Sequence, residues 1–143
     1  MYRSRKTQLS YNPAASKKKL RQGNIKCPFC DVKPKEILSK NKSAIVIRNI
    51  YGYQYWEHLV VTDHLMIVPI RHVESISKLS KSERSDLMEL MSEYESKGYN
   101  LYAREKDNVI KSVDHQHTHL IKTKNTRARF SLYIKHPYLL IRR

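Results

Sequence analysis

The sequence predicts an α+β domain, an antiparallel β-sheet with one main amphipathic helix. Three observations predict it: β-branched and apolar runs crowd the segment before residue 70, one well-capped helical stripe follows, and extended patterns resume after it. The chain of 143 residues is the size of one domain and long enough to bury a core.

Taken in order, residues 1–26 carry Ser, Asn, Pro and the run Lys17-Lys18-Lys19 without sustained periodicity, and read as a basic disordered or partner-ordered arm. The domain then runs over residues 27–143. Ser43 to Ile50 is β-branched and reads as a strand ending in a turn at Gly52. Tyr53 to Val61 is a second candidate strand, and His64 to Pro69 a third, ended by its proline or placed on an edge by it. Short connections between the three imply an antiparallel meander. The helix follows: Ser80 with Glu83 makes a capping box, Leu87, Leu90, Met91 and Tyr94 form a stripe at helical spacing, and Gly98 sits where a C-terminal cap belongs. Tyr99 to Glu105 reads as a returning strand, Lys106-Asp107-Asn108 as a loop. Arg129 to Ile134 and Tyr138 to Ile141 read as further strands beside Pro137.

Charge is unevenly placed. The net charge is +15; residues 1–26 carry eight Lys/Arg and no acid, residues 122–143 carry seven and no acid, and the remaining thirteen basic residues balance the thirteen acidic ones. Basic ends on a neutral middle suit a polyanionic partner such as RNA, DNA or a ribonucleoprotein surface, because neutralising phosphates releases counterions. The alternative is a solvated tail. No apolar run approaches the roughly 20 residues of a membrane-spanning helix. The opening segment is basic and polar where a signal peptide would be apolar, so a cytoplasmic location is expected, with no membrane partner.

Both cysteines lie in Lys26-Cys27-Pro28-Phe29-Cys30. A Cys-x-x-Cys pair in a reducing compartment is half a metal site or a redox pair. Two thiolates fill only half of a tetrahedral zinc shell, and histidines are the available complement. Three of the seven histidines alternate in Ser112-Val113-Asp114-His115-Gln116-His117-Thr118-His119-Leu120-Ile121. On a strand, alternate residues share a face, so this pattern predicts a row of three imidazoles suited to catalysis, phosphate binding or metal ligation.

His115-Gln116-His117-Thr118-His119-Leu120-Ile121 resembles the signature of the histidine-triad (HIT) family. His64-Leu65-Met66-Ile67-Val68-Pro69-Ile70-Arg71-His72-Val73 is similar to that family's upstream segment, Ser112-Val113 stands where the family usually has Ser-Val, and Cys27-Pro28-Phe29-Cys30 resembles the Cys-x-x-Cys of its zinc-bearing branch. The resemblance spans roughly residues 27–122. It implies a HIT-like fold with a structural zinc held by Cys27, Cys30, His72 and His115. It also implies a nucleotide hydrolase or transferase in which His117 attacks the α-phosphate of a nucleotide conjugate and forms a nucleotidyl-histidine intermediate. By the same resemblance His119 handles phosphate and protons, His64 lies nearby, and Ser112 donates to a phosphate oxygen. Glu57 is an approximate counterpart of the ribose-binding acid, and a homodimer is expected. Some positions depart from the pattern. Gln116 and Thr118 replace apolar residues and make the opposite strand face more polar, loosening its packing or turning it to a partner. Ile110-Lys111 replaces Gly-Gln, substituting a charge in the loop that approaches phosphate, and Arg104 stands where an asparagine is usual. These departures and the basic ends leave two alternatives beside the enzyme: an RNA- or ribonucleoprotein-binding module with weak or no catalysis, or a hydrolase of nucleic-acid-linked adenylate.

Overall fold

The computed structural model describes residues 26–127, 131–135 and 138–142. The basic arm, apart from Lys26, lies outside the described residues. The strands are β1 (Ile37–Lys40), β2 (Ala44–Arg48), β3 (Tyr55–Trp56), β4 (Leu59–Pro69), β5 (Tyr99–Ala103) and β6 (Thr118–Arg127), with α1 (Lys81–Ser96) between β4 and β5. They form one antiparallel sheet in the order β1-β2-β4-β6-β5, with β3 paired to β4. Strands β7 (Ser131–Lys135) and β8 (Tyr138–Arg142) make a separate two-stranded hairpin. The α+β reading therefore holds, as an open six-stranded antiparallel sheet with one main helix. No helix among the described residues is long and apolar enough to cross a membrane.

Local chemistry explains the elements. Between β1 and β2 the Asn41 side-chain oxygen accepts from the amides of Ser43 and Ala44 at 3.2 and 3.0 Å, an Asx turn that reverses the chain. Ser80 caps α1: its hydroxyl accepts from the Glu83 amide at 3.2 Å, and the Glu83 carboxylate accepts from the Ser80 amide at 2.7 Å. Such a cap contributes about 1 kcal/mol. Gly98 ends the helix at φ +83°, a left-handed conformation that glycine adopts without strain. Arg71, just after β4, donates to both Glu83 oxygens at 2.8 and 2.7 Å and fixes the helix start against the sheet.

Two strands differ from expectation. Tyr53 to Val61 is not one strand: it breaks at Glu57 and His58, whose φ of 49° and 67° make a two-residue left-handed turn, and the second half joins His64 to Pro69 as the eleven-residue β4. The expected strand from Tyr99 ends at Ala103, two residues early.

Both faces of the central strands are buried, which is why β2 reads as a continuous apolar run. Ala44, Val46, Leu65, Ile67 and Leu120 face the α1 stripe of Leu87, Leu90 and Tyr94. Ile45, Ile47, Met66 and Val68 face the other way, where Phe29, Val32 and Ile37 pack on them. The segment that opens with the two cysteines thus covers the sheet face opposite the helix.

Candidate functional site

The triad does not lie wholly on a strand. β6 begins at Thr118, so only His119 sits in the ladder, opposite Met66 of β4 and Tyr102 of β5. His115 and His117 precede the strand because the Gln116 amide bonds the Val73 carbonyl at 2.6 Å, a loop on the edge of the core, instead of a sheet neighbour. The three rings accordingly have different surroundings.

His115 is fully buried among the cysteines. Its Nδ1 lies 3.5 Å from Cys27 Sγ and 3.5 Å from Cys30 Sγ, and His72 Nδ1 lies 3.2 Å from Cys30 Sγ. All four donor atoms fall within 4.8 Å of one another. Nitrogen and sulfur ligands at the tetrahedral angle on an ion of zinc's size would stand about 3.6 Å apart, so the donor set fits a four-coordinate metal with two thiolates and two imidazoles. The His115 Nε2–H donates to the Pro69 carbonyl at 2.9 Å, which leaves Nδ1 as the ligating nitrogen. Burial holds the His115 imidazolium well below its ordinary range, to about 4, and keeps the ring in the neutral form a metal requires. The sequence spacing could not show that these residues, from three separate segments, converge; the fold brings them together.

His117 is 7% exposed. Its Nδ1–H donates to the His115 carbonyl at 2.9 Å, so its Nε2 keeps the lone pair. Burial lowers its pKa to about 4. Phe29, from between the cysteines, packs edge-on to the ring at 5.0 Å, and His119 does so from the other side at 5.0 Å. His64 and His119 form a hydrogen-bonded pair across β4 and β6, His64 Nε2 to His119 Nδ1 at 3.0 Å. The Tyr53 amide donates to His64 Nδ1 at 3.0 Å, and since that backbone N–H can only donate, His64 carries its hydrogen on Nε2 and His119 carries its own on Nε2. The Asn49 side-chain nitrogen lies 3.1 Å from the same Nε2 and, both being donors in this tautomer, makes no hydrogen bond to it.

Other expected site residues stand elsewhere. Lys111 is 1% exposed, and its ammonium donates to the Glu74 carbonyl at 3.0 Å and to Gln116 Oε1 at 3.2 Å. The charge that replaces the usual amide is thus spent inside the fold. Ser112 is half-buried in the same loop, which the Asn108 side chain initiates by accepting from the Ile110 amide at 3.0 Å. Glu57 is exposed at the β3–β4 turn, and the neighbouring Trp56 packs on Tyr53 and Tyr102. Gln116 and Thr118 neither loosen the opposite face nor turn to a partner: they are 2% and 1% exposed, and the Gln116 amide donates to the His117 carbonyl at 3.3 Å.

Sequence reasoning missed the aromatic wall. The Tyr53 ring lies 4.6 Å from His64, Tyr102 stacks on His119 at 6.0 Å, and Trp56 spans them at 5.8 and 4.9 Å. Arg104 binds both tyrosine hydroxyls. Arg104 stood out only as a departure from the HIT pattern, and nothing in the spacing of residues 53, 56 and 102 marks a shared site.

The model of the family described as "Protein similar to CwfJ C-terminal" matches residues 14–131. Comparison with curated proteins returns no significant match. Among solved structures, the chain is similar to a hypothetical protein from Leishmania major at 17% identity, over 76% of this chain and 73% of that one, with a TM-score of 0.50. It is also similar to the Plasmodium falciparum diadenosine triphosphate hydrolase in complex with Cyclomarin A at 14% identity, over 80% and 84%, with a TM-score of 0.51. The histidine triad nucleotide-binding protein from Candida albicans matches at 18% identity over 84% and 80%, with a TM-score of 0.46. At these identities the likeness to the Leishmania major and Plasmodium falciparum structures speaks for a shared fold alone, while the family match covers most of the sequence: the chain belongs to the family of proteins similar to the CwfJ C-terminus.

Proposed function

We propose that the chain is a HIT-type nucleotide hydrolase or transferase that works at the α-phosphate of a nucleotide conjugate through a covalent intermediate on His117. The single observation that carries this reading is the hydrogen bond from His117 Nδ1 to the His115 carbonyl, which presents a neutral imidazole with its Nε2 lone pair beside a second imidazole donor. Attack forms the Nε2–phosphorus bond as the bond to the leaving group breaks, and the leaving group takes the electron pair. His119, with its hydrogen on Nε2, donates to the phosphate oxygen on which charge builds. Water then displaces His117 from phosphorus and loses its proton to solvent, releasing the nucleoside monophosphate. Cys27, Cys30, His72 and His115 would hold a structural zinc, and four protein donors would leave it the role of fixing the segment that leads into His117. Ser112 adds a phosphate contact.

A second reading rests on the basic ends. Residues 1–26 and 122–143 hold fifteen Lys/Arg and no acid, which suits a nucleic-acid-linked adenylate as substrate, or an RNA or ribonucleoprotein held without turnover. We further propose a cytoplasmic location and a homodimer that pairs through the long helix and the adjoining strand.

Turnover of a panel of nucleotide conjugates, with and without RNA, tests the first reading against the second. His117→Asn keeps the fold and loses turnover if the proposal holds. Wild-type turnover in that variant refutes the nucleophile assignment. Salt-sensitive RNA binding that vanishes on deleting residues 1–26, with no turnover of any conjugate, favours the binding module.

A further inference from the structure

Arg104 lies one residue beyond β5 and is 8% exposed, a buried cation that the HIT pattern does not supply. Its Nη1 donates to the Tyr102 hydroxyl at 3.0 Å and its Nη2 to the Tyr53 hydroxyl at 3.1 Å, while the guanidinium carbon stands 5.1 Å from the Tyr102 ring centroid. The two tyrosines come from different parts of the fold, Tyr53 from the loop before β3 and Tyr102 from β5.

They flank the same pair of imidazoles. The Tyr53 ring is 4.6 Å from His64 and 5.9 Å from His119, and Tyr102 lies nearly parallel to His119 at 6.0 Å with an interplanar angle of 24°. The Tyr53 amide also sets the His64 tautomer. The contacts close a ring that runs from Arg104 through Tyr53, His64, His119 and Tyr102 back to Arg104.

We propose that Arg104 is a positioning residue for the His64–His119 hydrogen bond, acting through Tyr53 and Tyr102. The planar guanidinium reaches both hydroxyls at once in fixed geometry. A lysine ammonium is a point donor on a flexible stem and does not hold two separated oxygens in the same way. The guanidinium ties the two hydroxyls by directed hydrogen bonds, whereas Trp56 touches both rings by packing, at 5.8 and 4.9 Å, so loss of the guanidinium loosens the two walls relative to each other. His119 then loses its orientation toward the phosphate oxygen. Displacements of about 1 Å at a reacting centre cost up to roughly a hundredfold in rate.

The effect on turnover rests on the function proposed above; the positioning claim itself does not. The test uses the full chain labelled with 15N-histidine. In the wild type, the His64 Nε2 proton shared with His119 Nδ1 gives a protected imidazole resonance in proton–nitrogen spectra, because both rings are 5% exposed. Arg104→Met and Arg104→Lys are then compared by cooperative thermal unfolding, by this resonance and by steady-state kinetics, with Tyr102→Phe as a milder variant that removes one of the two anchors. The expected result is a folded Arg104→Lys in which the resonance is lost or broadened by exchange, a smaller loss in Tyr102→Phe, and a fall of ten- to a hundredfold in kcat with KM within about twofold of wild type. A merely structural role would lower the unfolding temperature and leave both the resonance and kcat of the folded protein intact. A resonance of wild-type intensity in folded Arg104→Lys or Arg104→Met overturns the proposal. If the wild type turns over no conjugate while the resonance disappears in the variants, the positioning inference stands and the function proposed above fails.

Discussion

Removing one thiolate from the Cys27, Cys30, His72 and His115 cluster should abolish the proposed zinc binding there and, with it, the stability that a bound ion adds to the fold. The four donors join three segments: Cys27 and Cys30 precede β1, His72 follows β4, and His115 precedes β6. An ion that binds this assembled set and not the unfolded chain stabilises the fold by about 4 kcal/mol when free metal exceeds the dissociation constant a thousandfold. In a domain of this size each kcal/mol moves the midpoint by roughly 3 °C, so the expected loss is about 12 °C. Cys27→Ser leaves three ligands and should show that loss in thermal unfolding followed by circular dichroism, together with a fall from one bound zinc per chain to little or none. A strong chelator should lower the wild-type midpoint by a similar amount and change the variant little. A wild type that purifies without metal and gains no stability on adding zinc, or a Cys27→Ser that keeps both its zinc and its midpoint, would refute the assignment of these four residues.

Three further outcomes follow from the described geometry. Glu57 and His58 both hold left-handed φ values that cost side-chain-bearing residues about 1 kcal/mol or more each, so the double change Glu57→Asn, His58→Gly should raise stability by roughly 1 kcal/mol in urea unfolding; a lower midpoint would mean the turn is not strained. Thr118 Oγ1 is buried without a hydrogen-bond partner among the described residues, so the near-isosteric Thr118→Val should be neutral or stabilise by about 1 kcal/mol, and a loss of that size would reveal a partner for the hydroxyl. The hydrogen bonds from Arg71, then from the Ser80 amide, hold the Glu83 carboxyl down at about 2. Its folded pKa is below its ordinary value of 4.5, so its contribution is complete above pH 4.5 and is lost as pH falls toward 2. Glu83→Gln should flatten the stability-versus-pH curve in that window, and an unchanged curve would count against the cap.

Legibility in the sequence tracked how local each determinant is. The α1 boundaries were readable because Ser80, Glu83 and Gly98 act within a turn of the helix. The β3–β4 turn was not, because Glu57 and His58 carry none of the usual turn chemistry and take left-handed conformations imposed by the pairing of Tyr55 with Val60. β1 was missed because Ile37–Lys40 is short and only alternately half-buried at the sheet edge. Alternation of His115, His117 and His119 suggested one strand face, yet the Val73 carbonyl draws the Gln116 amide off the ladder, a contact between residues far apart in sequence. The aromatic wall and its Arg104 clamp depend on the same kind of distant contact, and no local pattern encodes them. Lys111 shows the converse: its charge looked available for phosphate in the sequence, and burial against Glu74 and Gln116 commits it to the interior.

In the proposed reaction His117 becomes covalently linked to the nucleotide. Rapid acid-free quenching of the full-length protein with an adenylate conjugate, followed by intact-mass measurement and peptide mapping, tests it directly. The expected result is a single adenylyl group on the peptide that contains His117, formed and lost at rates consistent with turnover and absent in His117→Asn. Turnover that proceeds with no adduct, or an adduct on any other residue, would contradict it.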